Sequence, residues 1–144
     1  MRDAGARGED PGAPLALSRT VRTLSERLSP ESIDRLWIFP PLRRGRREWG
    51  LVVASEFLEG DERRRLLTAR YVAEVTGKGL EYDVHVTGEG ILPLERFSRV
   101  LTGVARRAEK DLGDPRSVEI AGNPGALEDL LEEITPTDVE AWQQ

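Results

Sequence analysis

The chain of 144 residues contains no cysteine and only one histidine, His85. Without cysteine there are no disulfides and no thiol chemistry, and the redox compartment stays open. No complete catalytic, metal-binding or cofactor motif is present, so we expect no cofactor. These absences make a non-catalytic function the first hypothesis.

Long apolar runs are also missing. No run approaches the roughly 20 residues that a membrane-spanning helix needs, so we expect no membrane association. Residues 1–14 lack the apolar region of a secretory signal, which makes the cytoplasm the default location. A hydrophobic fraction of 38% and a charged fraction of 33% indicate a soluble globular protein with a charge-rich surface.

Charge is unevenly distributed along the chain. The net charge is −5, yet residues 117–144 contain seven acids and no base, so the first 116 residues carry 21 bases against 19 acids. This asymmetry suits self-association or a basic partner, although a solvated acidic helix is the favoured explanation. Nineteen of the bases are arginine and two are lysine, a bias that a GC-rich, bacterial-like genome would produce.

The N-terminal part separates into a tail and the start of a domain. Residues 1–14 are rich in small residues, proline and charge without periodicity, which predicts a disordered tail before a single domain over residues 15–144. Apolar residues at steps of three and four predict a helix over residues 15–28. A helical turn is expected after Ser29, followed by a short strand over residues 35–39 that Pro40-Pro41 ends.

Three segments between Trp49 and Thr87 alternate apolar and polar residues, which is typical of strands. Turn-forming glycines separate the segments, so we predict an antiparallel meander in which Thr87-Gly88-Glu89-Gly90 is a loop. The predicted strands cover residues 48–57, 63–75 and 80–87.

Two hairpin registers follow from the turns. Centring one turn on Gly77-Lys78 pairs Val75 with Leu80 and Tyr71 with Val84, so that every apolar pair shares a face. A three-residue loop over 59–61 would place Trp49 opposite Tyr71.

The C-terminal half is predicted to be mainly helical. An apolar stripe from Leu94 to Leu112 predicts a long helix that Gly113 ends. A short strand over 117–121 and a short acidic helix after Asn123 follow. The fold class is therefore α+β: an antiparallel β-meander of at least three strands, with four or five expected, packed on one face by the long helix.

One polar cluster on the predicted sheet is a candidate ligand or metal site. Acids close together raise one another's pKa or hold a hard cation, although alternation alone produces such clusters on a solvated sheet face. The cluster consists of Glu74, Glu81, Asp83, His85 and Arg70, of which the acids and the histidine are the first targets if the protein is an enzyme.

Arginines after Pro40-Pro41 are a candidate anion site. Four guanidinium groups on one hairpin suit phosphate or nucleic acid, but the net negative charge and the lack of stacking aromatics make nucleic acid the weaker interpretation. They are Arg43, Arg44, Arg46 and Arg47.

Apolar side chains also occur where the meander predicts its outer face. Such a patch needs a cover, which is either the N-terminal helix or a second copy of the chain. The interface candidates are Val52, Ala54, Leu66, Val72, Trp37 and Phe39.

Three functions follow from these patterns. The first is a non-catalytic protein-interaction module that binds a second copy of the chain, as a homodimer, or another protein. The second is a small-ligand-binding domain or enzyme with a cavity between the sheet and the long helix, lined by Trp49, Tyr71 and Tyr82. The third is a phosphate or nucleic-acid binder that uses the arginine hairpin.

Overall fold

The computed structural model describes residues 12–28, 33–44, 47–58, 60, 62–120 and 125–133. The predicted helical turn after Ser29 and most of the predicted tail lie outside these ranges. In chain order the elements are α1 (Gly12–Arg27), β1 (Ile33–Arg44), β2 (Arg47–Phe57), β3 (Arg63–Thr76), β4 (Gly79–Pro93), α2 (Leu94–Leu112), β5 (Arg116–Glu119) and α3 (Ala126–Glu133). The α+β class is confirmed.

The five strands form one antiparallel sheet in the order β4-β3-β2-β1-β5. Strands β2, β3 and β4 pair as neighbours in chain order, which confirms the three-stranded meander, and β1 extends it by pairing with β2. Strand β5 returns after α2 to pair with residues 35–38 of β1.

The register of the β3–β4 hairpin is confirmed. Val75 pairs with Leu80 and Tyr71 with Val84, as the Gly77-Lys78 turn predicts. The hydroxyl of Thr76 accepts a hydrogen bond from the backbone N–H of Lys78 at 3.1 Å, which holds the turn from one side.

The predicted register between β2 and β3 is wrong by one residue. The connection between these strands is longer than three residues and pairs Phe57 with Arg64, so Trp49 faces Val72 instead of Tyr71. A shift of one residue moves every side chain of β3 to the other face relative to β2. Tyr71 therefore shares a face with Gly50.

Two strands are longer than predicted. Strand β1 continues through Pro40-Pro41 to Arg44, because β5 covers only residues 35–38 and the prolines lie in an edge segment with a register shift. Strand β4 continues through the predicted loop at 87–90 to Pro93. Thr87 is the extra residue of a bulge there, since Ala69 pairs with Val86 and Thr68 with Gly88.

Both faces of the sheet carry a core. The face that we call the α1 face packs against α1 and α3. The opposite face, the α2 face, packs against α2. The α1 face buries Leu36, Ile38, Val52, Ala54, Leu67, Ala69 and Tyr71 beneath Leu17, Val21 and Leu24 of α1.

The helix α2 covers its face unevenly. Phe97 near its start and Ala108 and Leu112 near its end are buried, and Gly113 ends the helix as predicted with a φ of 96°. Val104 between them is only partly buried, and Val100 is 41% exposed. The middle of α2 therefore leaves space above the sheet.

Candidate functional site

The space beneath α2 is a groove of about 440 Å³ between the helix and the sheet. We call it the α2 groove. Its floor comes from β2, β3 and β4 and its wall from the second half of α2. The lining residues are Trp49, Leu51, Thr68, Thr87, Val104, Arg107, Ala108, Asp111 and Leu112.

A second space of about 200 Å³ adjoins the first and shares Thr68 and Val104 with it. Its lining is mainly apolar, with Leu66, Leu92 and Val100. Along α2 the two spaces extend from Val100 to Leu112, about 18 Å at the helical rise per residue. We treat them as the apolar end and the polar end of the α2 groove.

Glycines in β4 open the apolar end. Gly88 and Gly90 lie opposite Thr68 and Leu66 on the α2 face, where a larger residue would project toward α2. A Cβ at Gly90 would meet no atom within 4 Å, while a Cβ at Gly88 would lie 2.8 Å from Oγ1 of Thr68. The floor is low because these two positions carry no side chain.

Two hydroxyl groups supply polar atoms at the junction of the two ends. The bulge brings Thr87 onto the α2 face, where its Oγ1 lies 2.9 Å from Oγ1 of Thr68. Either hydroxyl can donate in this pair, and the Thr87 hydroxyl also reaches the backbone oxygen of Thr68 at 3.3 Å. The pair can therefore turn a donor or an acceptor toward a ligand.

Charged side chains occur at the polar end. Arg107 and Asp111 line it, one turn apart on α2. The guanidinium of Arg70 lies 5.8 Å from the centre of the Trp49 ring, which also lines the polar end. Within the described residues none of these three charged groups forms an ion pair with another charged group.

The polar cluster predicted from sequence lies on the α2 face, where Arg70 adjoins the groove and the other four members do not line it. Glu74 does face Glu81, and Arg70 does face His85. Nε2 of His85 lies 2.6 Å from Oδ2 of Asp83, and both side chains are more than half exposed. Among the described residues no three acidic or imidazole groups converge on a point that could hold a metal ion.

The arginine hairpin is only partly described. Strands β1 and β2 meet there with Arg44 opposite Arg47, while Arg46 and the side chains of Arg43 and Arg44 lie outside the described set. Arg47 is exposed and faces Glu74 across the sheet. The hairpin thus brings a base beside the acidic cluster.

The interface candidates pack inside the chain. Val52, Ala54 and Phe39 are each 0% exposed, and Trp37 is partly buried. The predicted patch is also divided between two faces. Helix α1 covers Val52 and Ala54, which agrees with the expectation that the N-terminal helix is the cover. Leu66 and Val72 lie on the α2 face instead.

Sequence reasoning placed Trp49 in a cavity between sheet and helix, and the structure does so too. Tyr71 and Tyr82 were expected beside it but pack on the α1 face, because the β2–β3 register differs. Sequence reasoning missed Thr68, Thr87 and Gly90. Gly88 and Gly90 are two residues apart, so in a strand both leave the same face without side chains. From the sequence, the segment that contains them is predicted to be a loop.

Comparison with protein-family models, curated proteins and solved structures finds no match to this chain. Within the described ranges, no helix is long and apolar enough to cross a membrane.

Proposed function

We propose that the chain is a non-catalytic binding module that holds an elongated, mainly apolar small molecule in the α2 groove. The observation that supports this proposal most directly is the pair of adjoining spaces, of about 440 and 200 Å³, beneath one helix. Ligand sites typically enclose roughly 300–1,000 Å³ and combine an apolar lining with a few polar groups. The α2 groove has that size and that composition.

The local sequence supports a binding role over an ordinary packing gap. Protein interiors are close-packed, and unfilled space in a core costs stability. Here the space follows from glycines at 88 and 90 and from Val100, which is 41% exposed beside the apolar end. A valine or leucine at position 90 would close much of it, since a Cβ there meets no atom within 4 Å.

The test is to fill the groove. Leucine at Gly90 projects from the floor toward Val100 and Val104, so we expect Gly90→Leu to weaken binding of decanol at least tenfold by calorimetric titration. The same variant should melt at a temperature equal to or above that of the wild type, because a glycine within a strand is replaced and a void is filled.

Gly103→Leu is the matched control. Gly103 lies on α2, has open space around its Cβ position and does not line the groove. Its decanol affinity should stay within twofold of the wild type. Equal decanol affinity in the wild type and Gly90→Leu would contradict the proposal, and so would failure of the wild-type protein to bind either decanol or the corresponding acid, decanoate.

Self-association has less support than the sequence suggested. Its basis in the sequence is a set of six apolar side chains that need a cover, and five of the six are at most 6% exposed within the single chain. The uneven charge along the sequence is what remains in its favour. The groove is the stronger basis for a function because its lining is accessible.

A further inference from the structure

We infer that the ligand of the α2 groove is a single-chain carboxylic acid whose carboxylate lies at the polar end, beside Arg70 and Arg107. This inference rests on the proposed function and specifies the chemical class of the ligand. Three observations support it: the polarity changes along the groove, the buried Nε of Arg70 has no hydrogen-bond partner among the described residues, and basic groups outnumber acidic groups at the polar end.

Polarity changes along the groove in one direction. The apolar end is lined by Leu66, Leu92 and Val100, and its one acid, Glu89, directs its carboxylate to Arg27 at 2.7 Å and Arg65 at 3.4 Å. The polar end has Arg107 and Asp111, and the two threonine hydroxyls lie at its junction with the apolar end. A ligand with one apolar tail and one charged head matches this arrangement.

Arg70 is held at the polar end by its place on β3. It follows Thr68 by two residues on the same face, lies opposite Leu51 of β2 and stacks on Trp49. Thr68, Leu51 and Trp49 all line the groove. The guanidinium is therefore a neighbour of the groove on a rigid central strand.

The Nε–H of Arg70 is a donor without a partner. The atom is buried, and no described residue accepts a hydrogen bond from it. A buried donor that makes no hydrogen bond is costly, and more so when it belongs to a charged group. A carboxylate can accept from a guanidinium through two parallel hydrogen bonds, which makes it the anion that arginine recognises best together with phosphate.

The charges around this point favour an anion. Arg70 and Arg107 are positive and Asp111 is negative, while the carboxylate of Asp83 lies 2.6 Å from the imidazole of His85. Asp83 keeps its charge but does not line the groove, so the guanidinium groups of Arg107 and the adjoining Arg70 face one lining carboxylate at the polar end, that of Asp111. An amine head group would meet Asp111 but would also be repelled by both arginines.

The experiment compares decanoate with decanol, which have the same chain length and differ in charge. Calorimetric titrations at pH 7 use the full chain and the variants Arg70→Gln and Arg107→Gln. We expect the wild type to bind decanoate about ten- to hundredfold more tightly than decanol, in line with charged hydrogen bonds to a carboxylate. Each variant should lose at least tenfold in decanoate affinity and keep its decanol affinity within twofold.

Arg106→Gln is the matched control, since Arg106 is an exposed neighbour on α2 that does not line the groove. Asp111→Asn should raise decanoate affinity because it removes the opposing charge. If Arg70→Gln does not fold, Arg107→Gln by itself still tests the inference, because Arg107 is exposed and its replacement should not disturb the core.

The outcomes separate the two proposals. The carboxylate inference would be overturned if the wild type bound decanoate and decanol with equal affinity and Arg107→Gln left the decanoate affinity unchanged. The groove would then be an apolar site. Binding of neither molecule would overturn the proposed function as well.

Discussion

Gly50→Ala should strongly destabilise the protein, because the ring of Tyr71 occupies the space above Gly50. The two residues face each other across β2 and β3. A Cβ built on Gly50 would lie 2.3 Å from both Cζ and Oη of Tyr71 and 2.7 Å from Cε1. Non-bonded atoms do not approach a Cβ so closely, so either the ring or the strand must move.

The cost follows from what holds Tyr71. Its side chain is 1% exposed, and its hydroxyl donates to the backbone oxygen of Phe39 at 3.2 Å. Displacing the ring combines overpacking, about 1–3 kcal/mol, with loss of a buried hydrogen bond, about 1–3 kcal/mol. Replacing a strand glycine returns about 0.5–1 kcal/mol. We expect the free energy of unfolding to fall by roughly 1–5 kcal/mol.

Urea denaturation measures this change, and Gly90→Ala is the control. Gly90 is also a strand glycine, but a Cβ there meets no atom within 4 Å. That variant should be as stable as the wild type or slightly more so. In a background of Tyr71→Val the cost of Gly50→Ala should fall by at least about 1 kcal/mol, as expected for residues in contact. Equal stability of Gly50→Ala and Gly90→Ala would refute this reasoning.

Two further predictions concern pH and mass. Burial, and secondarily the charge of Glu48, raise the pKa of Tyr71. Its contribution to stability is therefore complete below the unfolded tyrosine pKa of about 10 and falls by about 1.4 kcal/mol per pH unit above it. Urea titrations from pH 9 to 11 should show this loss, and Tyr71→Phe should lack it. Light scattering at two concentrations and two salt levels should give the mass of one chain, since the proposed interface residues pack internally; a dimer that persists in high salt would contradict this assignment.

The β3–β4 hairpin could be predicted in detail because its information is local. Gly77-Lys78 fixes a tight turn, and alternation on both sides of the turn admits one register with all apolar pairs on one face. The long helix was equally accessible, since its apolar stripe and Gly113 define its extent. These elements need no knowledge of what packs on them.

The β2–β3 register could not be predicted by the same reasoning. Val52, Val53 and Ala54 are consecutive apolar residues, as are Leu66 and Leu67, so both registers bury apolar side chains. Alternation determines a register only where one face is polar, and here helices cover both faces. The connection over 58–62 carries no turn signal as specific as Gly77-Lys78.

The sequence alone determined the approximate positions of the main elements, the order of the three-stranded meander and the register of one hairpin, because periodicity and turn chemistry act between near neighbours. The tertiary structure decided which helix covers which face and where a gap remains. Gly88 and Gly90 form the floor of a groove only because β4 extends beside β3 and α2 crosses above them. That arrangement depends on pairings between distant segments, and no local pattern in this chain specifies it.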